Sequence, residues 1–293
     1  MSLRSTSIGL AVACVAVLAG PVLAGSNEEA GRFFAQGQSL LAQGDFDGAL
    51  AAYANAAKAN SENEEYRQQY ALLCRITKMR ESIARQDVPA KWEKAALALR
   101  SFYYANEIYT EALSLDQETH LRLKNAESAT MLAETELALG MNAEAAELLG
   151  GLEEGTATRQ SRMFEGIALS RLGKVDEARK IADQLVPSDE FGPGLYFDFA
   201  RLRALLGDTA PALRSLTRTF ELTPPSRLEA FKTYAKACPD LAGLVGTADF
   251  AKVLETQSTV KESSCSGGTS CGKCPNKAKC SHASGKPPTE GGK

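Results

Sequence analysis

Residues Ala30–Asn63 read AGRFFAQGQSLLAQGDFDGALAAYANAAKANSEN, two helix-length segments on either side of Gly44-Asp45-Phe46. Phe33, Gly37 and Leu40 follow one another at four and three residues in the first segment. Ala49, Tyr53 and Ala56 do the same in the second. This is the spacing of one face of a helix. Antiparallel helices joined by a short turn approach closely only where a side chain is missing, and Gly37 and Ala49 provide that. Leu40 and Tyr53 fill the space on either side, and Ala56 leaves room for a following helix. Gly44 suits the left-handed backbone that commonly ends a helix.

The pattern recurs. Gly140, Gly173 and Gly207 are 33 and 34 residues apart. Each precedes a similar second segment: Ala145 and Leu149, then Val175 and Ala178, then Ala212 and Leu216. Small residues, Ala133, Gly166 and Ala200, stand mid-way along the preceding segments. A divergent unit turns at Asn106-Glu107, 33 residues before Gly140, with Tyr103 before it and Tyr109 and Ala112 after it. There Arg100 replaces the expected small residue, which puts that helix crossing in question. Glu64–Gln86 reads as one long polar helix carrying Leu72, Leu73, Ile76 and Ile83, a degenerate second repeat off the 34-residue grid. Trp92 is expected to pack a helix start against the unit before it.

A fixed period of this length marks a repeat array. From Ala30 to Arg227 the pattern resembles the tetratricopeptide repeat, closely in the first unit and well from Gly140 to Pro224. Pro224 takes the family's closing proline position, and Ser61 stands where that proline is usual in the first unit. The resemblance implies an all-α fold, a right-handed superhelical solenoid of antiparallel helix pairs. It also implies a protein or peptide partner on the concave repeat surface. Members that hold chaperone C-termini use lysines and asparagines on the inner helices. Phe34 and Gln38 in that helix do not support such a carboxylate clamp. Pro239-Asp240-Leu241 followed by Asp249-Phe250 resembles segments that end such arrays. Two short helices here would cover the apolar face of the last repeat, which a solenoid requires.

The ends differ from the body. Residues 1–24 have the layout of a signal peptide: Arg4 in a short polar start, the 13-residue apolar run Ile8–Gly20, then Pro21-Val22-Leu23-Ala24. Cleavage is expected after Ala24, with export to the periplasm or cell envelope. An uncleaved anchor is the alternative, but 13 residues fall short of the roughly 20 that span a bilayer. A lipoprotein site fails because Ser26 follows Leu23-Ala24-Gly25, and Cys14 has too short an apolar run before it. No stable membrane span is expected after cleavage. The array with its caps occupies 25–257, and a flexible cysteine-rich tail occupies 258–293.

That tail contains SCSGGTSCGKCPNKAKCSH. Cys265, Cys271, Cys274 and Cys280 form a C-x5-C-x2-C-x5-C layout within 16 residues, with His282 beyond. Three chemistries fit. In an oxidising compartment an even set of cysteines pairs as disulfides. Four thiolates also suit tetrahedral zinc, although the usual zinc layout has two C-x2-C pairs across a longer loop. Cys271-Gly272-Lys273-Cys274 is similar to the thioredoxin redox element, without the strand and helix that normally flank it. The [2Fe–2S] ferredoxin likeness of the first three cysteines is discounted for want of a β-rich fold. Zinc in the tail is therefore the one metal considered, and no other cofactor is expected.

The net charge of −3 over 293 residues splits into +4 across 258–293, +1 in the first 24 residues and thus −8 between. An acidic body argues against nucleic acid as a partner. The composition, 44% hydrophobic and 24% charged, is globular. With only two histidines, His120 and His282, a Ser–His–Asp or His-ligand metal site would need His120 nearly alone, and in the helix-like stretch LDQETHLRLK it reads as a surface or satisfied helix residue. There is no G-x-G-x-x-G and no phosphate-binding loop. Glu28-Glu29, Glu64-Glu65 and Glu153-Glu154 read as solvated pairs at helix starts or in loops. Cys74 and Cys238 read as small buried hydrophobes. The sequence thus points to a non-enzymatic interaction scaffold, with metal or thiol chemistry in the tail as the alternative.

Overall fold

The computed structural model describes residues 27–188 and 190–261, so residues 1–24, read above as a signal peptide, and the four tail cysteines lie outside the described residues. Among those described, the protein is all-α, with thirteen α-helices and one 3-10 turn. The chain divides into two compact units, one through Leu123 and one from Lys124.

The turns explain the period. Gly44, Gly140, Gly173 and Gly207 have φ of +77°, +76°, +76° and +77°. After each, the next amide donates to the carbonyl five residues back: Asp45 to Leu40, Met141 to Glu136, Lys174 to Leu169 and Asp208 to Arg203, at 2.8–3.0 Å. This bond satisfies a carbonyl the helix end would leave unpaired. The divergent turn has the same form. Glu107 takes φ +57° and Ile108 donates to Tyr103 at 2.9 Å. A side chain in this region costs about 1–2 kcal/mol. Glycine loses part of that advantage through its freer unfolded chain. Glu107→Gly is therefore expected to stabilise the first unit by about 0.5–1 kcal/mol. The rise should appear in the midpoint of denaturant unfolding followed by Trp92 fluorescence.

The first unit contains α1 (Asn27–Ala42), α2 (Phe46–Ala59), α3 (Glu64–Ile83), α4 (Pro89–Ala105) and α5 (Tyr109–Leu123). Asp45 and Asn63 cap α2 and α3 by accepting from Gly48 and Tyr66 amides, and Pro89 opens α4. At Gly37 the helices nearly touch: a β-carbon there would lie 2.6 Å from the Tyr53 ring. The close approach read from the sequence is real, and Phe34 stacks beside it on Tyr53 and Tyr66, at 5.3 and 4.7 Å between ring centres. Between Asn63 and Pro89 the chain forms one 20-residue helix and no second helix, so a degenerate repeat is reduced to its single long helix. Leu73, Ile76 and Ile83 of α3 share a core with Trp92, Leu99 and Phe102 of α4 and with Phe46. Trp92 is buried as expected. The crossing at Arg100 is made by charge instead of a gap. Arg100 Nε donates to both oxygens of Asp116 on α5 at 3.0 Å, Nη2 donates to Tyr104 Oη, and the guanidinium lies 4.2 Å from the Tyr104 ring centre.

The second unit contains α6 (Ala126–Ala138), α7 (Asn142–Gly150), α8 (Arg159–Arg171), α9 (Val175–Gln184), α10 (Pro193–Leu205), α11 (Thr209–Leu222), α12 (Pro225–Ala237) and α13 (Ala248–Leu254). A capping box joins Asn125 and Ser128 at the start of α6, Thr158 caps α8, and Pro193 and Pro225 open α10 and α12. Ala133, Gly166 and Ala200 are buried. A β-carbon at Gly166 would come 3.0 Å from Leu202, so its missing side chain seats the first helix of one pair against that of the next. Ala145, Leu149, Ala178, Ala212 and Leu216 are buried, while Val175 is exposed at the first residue of α9 and Ala182 is buried one turn on from Ala178. After α12, the 3-10 turn Pro239–Leu241 and α13 bring Leu241, Leu244, Phe250 and Val253 onto Phe197, Ala212, Leu216 and Phe220. They bury apolar residues of α10 and α11.

Candidate binding surfaces

Two features of the second unit stand out. The first is a buried ion network built from successive helices. Asp240, in the 3-10 turn, has a side chain 3% exposed. Arg171 of α8 donates to it through Nε and Nη2 at 2.9 and 3.0 Å, and Arg201 of α10 through Nε at 2.9 Å. Arg201 also donates to Asp198 at 2.8 Å, which accepts from Gln160 as well. Arg171 continues to the Leu137 carbonyl and to Asn142. Burial pushes the Asp198 carboxyl up from its ordinary range, against the pull of Arg201 and Gln160. Burial disfavours charge on Arg201, but Asp198 and Asp240 more than offset it and its pKa is raised. Every charge here is committed internally, so this network locks the cap to α8 and α10 and leaves little to grip a ligand.

The second feature is a cleft of about 500 Å³ between the end of α9, the loop Leu185–Pro187, α10 and α11. Leu185, Val186, Pro187, Tyr196, Phe199 and Pro211 supply its apolar wall. Arg203, Arg214 and Arg218 supply its charge, with Asp183 the one carboxylate in the lining. Arg203 pairs with Asp183 and Asp208 at 3.0 Å and lies over the Phe199 ring. Arg218 pairs with Glu221 at 2.8 Å. Burial opposes ionisation of Asp208, but hydrogen bonds from Arg203 and Arg179 hold its carboxyl below the ordinary range.

Glu136 of α6 is 6% exposed, and its Oε2 is buried without a hydrogen-bond partner. Burial, helped by nearby Glu144, pushes its carboxyl up to about 7. Because the folded state holds this proton more tightly than the unfolded chain, its contribution is fully present below about pH 4.5 and is lost as pH rises through about 7. The span is on the order of 3 kcal/mol. Glu136→Met is expected to remove this slope and raise stability at pH 8 while leaving pH 4 nearly unchanged. Hydrogen exchange of α6 at the two pH values checks it.

The other residues singled out in the sequence fall mostly where expected. Cys238 is buried, and burial raises its thiol pKa. Cys74 is partly buried, so it is less a core residue than the pattern suggested. His120 lies in the last turn of α5. Glu28-Glu29 and Glu64-Glu65 sit in first turns, and Glu153-Glu154 in a loop. Among the described residues no three His, Cys, Asp or Glu side chains are grouped to hold a metal ion, and no helix is long and apolar enough to cross a membrane. Cys265, Cys271, Cys274 and Cys280 lie outside the described residues. Asp240, Arg171 and Arg201 were missed as a group, as were Arg203, Arg214 and Arg218. The first set comes from three separate elements, and the second joins Arg203 of α10 to Arg214 and Arg218, one turn apart on α11.

No family model matches the chain, and no curated protein does. Among solved structures, the chain is similar to a tetratricopeptide repeat protein from Parabacteroides merdae ATCC 43184, at 15% identity and a TM-score of 0.37, over 78% of this chain and 98% of that one.

Proposed function

We propose that the chain is an exported protein–protein interaction scaffold, acting in the periplasm or cell envelope, whose helical array carries no reaction chemistry. The observation that supports this reading is the stacking of helix pairs through small residues, with Gly166 against Leu202 as its clearest instance. Such stacking builds an extended surface whose side chains hold position without a ligand, the form in which repeat arrays receive peptides and helices. Export rests on the layout of residues 1–24. The test is cross-linking in the cells that produce the protein, followed by recovery from the envelope fraction. A defined partner enriched over a charge-matched helical control supports the scaffold; no enrichment contradicts it.

A second reading places metal or thiol chemistry in the tail, with the array as platform, on the strength of Cys265, Cys271, Cys274 and Cys280. Bound metal and free thiols are measured on protein purified without reductant. Stoichiometric zinc lost on Cys271→Ser and Cys274→Ser favours metal. No metal and no free tail thiols favours disulfides. Absence of thiol–disulfide exchange removes the redox variant.

A further inference from the structure

We infer that the cleft between the end of α9, α10 and α11 is a docking site for a short acidic peptide segment that carries an apolar side chain. This rests on the scaffold reading and names the partner chemistry of one surface. The cleft lies within the 300–1,000 Å³ range of ligand pockets and has room for roughly two or three residues. Its rim carries Val186, 73% exposed, beside Pro187. An aliphatic residue this exposed at the mouth of a cleft walled by Tyr196 and Phe199 offers contact area that water leaves unsatisfied.

Charge selects the second half of the occupant. The body carries −8, yet this cleft is lined by three guanidiniums and one carboxylate. Arg203 and Arg218 are held by their own carboxylates, which fix their positions. Arg214 is exposed on α11 and has no ion pair or hydrogen bond among the described residues. It is the guanidinium available to a carboxylate, for which its planar fork is suited. In the same lining, Arg203 Nε is a buried donor with no partner. Unpaired buried donors lower the cost of accepting an incoming oxygen. The apolar wall makes a peptide a better fit than a bare anion. The acidity of the body disfavours a nucleic-acid strand.

The probe is a pool of fluorescein-labelled hexapeptides in which one Leu or Phe lies two residues from an Asp or Glu. It is titrated by fluorescence polarisation against the full chain. The same pool with Asn and Gln replacing the acids serves as comparison. The acidic pool is expected to bind at least tenfold more tightly and to weaken with salt. Arg214→Glu and Val186→Asp should each weaken it tenfold or more. Both side chains are exposed, and unchanged far-UV circular dichroism melts confirm that the variants fold. Equal binding of both pools, no binding of either, or unchanged binding in both variants overturns the assignment. If the assignment fails but cross-linking still recovers a partner with both variants, the scaffold stands and binds elsewhere. If neither peptide nor partner is found, both fail.

Discussion

Replacing Asp240 by alanine is expected to destabilise the second unit by about 3–5 kcal/mol, the range for removing one partner of a buried ion pair. The side chain is almost wholly buried and accepts from two arginines on different helices. Its loss leaves Arg171 and Arg201, 21% and 14% exposed, facing a carboxylate that is gone. Arg201 retains Asp198, and Arg171 retains the Leu137 carbonyl and Asn142, so the effect falls short of full uncoupling. The cap should loosen with it, because the 3-10 turn carries Leu241 into the core beside Phe197 and Leu216. Hydrogen exchange resolves this: amides of α8, α10 and α13 should lose protection together. Asp240→Asn keeps the shape but exchanges one accepting oxygen for an NH2 that faces an arginine N–H, so it should recover little of the loss. A decline confined to α13 would mean that the arginines do not depend on Asp240.

Asp116→Ala is expected to destabilise the first unit by a similar amount, about 3 kcal/mol. Asp116 is 1% exposed and is gripped by Arg100, which has no small residue to retreat behind. The change separates cleanly from the first because the single tryptophan, Trp92, lies in the first unit. Its fluorescence transition should move to lower denaturant in Asp116→Ala and stay put in Asp240→Ala. The double change of Arg100 to alanine and Asp116 to leucine should recover much of the loss. A buried pair replaced by apolar groups leaves no stranded charge, and that is often neutral.

These sites show where sequence was informative and where it was not. The turn glycines were legible because a left-handed residue constrains residue type at one position, and Glu107 kept the register without the glycine. Gly37 was legible because close approach removes a side chain outright. Arg100 was legible only as an anomaly. A guanidinium spanning the gap between helices needs a partner 16 residues away, and no local pattern names it. Asp240 lies 69 residues from Arg171 and 39 from Arg201, so the capping segment could be read but not its ionic lock. Between Asn63 and Pro89 the apolar spacing already read as one long helix off the repeat grid, and that single helix is what forms. The cleft is assembled from a loop and three helices, so no single stretch of sequence outlines it.

The scaffold role is tested most directly by in-cell cross-linking of the wild-type chain alongside a variant carrying Arg214→Glu and Val186→Asp, with the envelope fraction analysed for joined proteins. One defined partner captured by the wild type, and reduced tenfold or more in the variant at equal protein level, is the expected result. A wild-type chain that captures nothing beyond a charge-matched helical control would contradict the role.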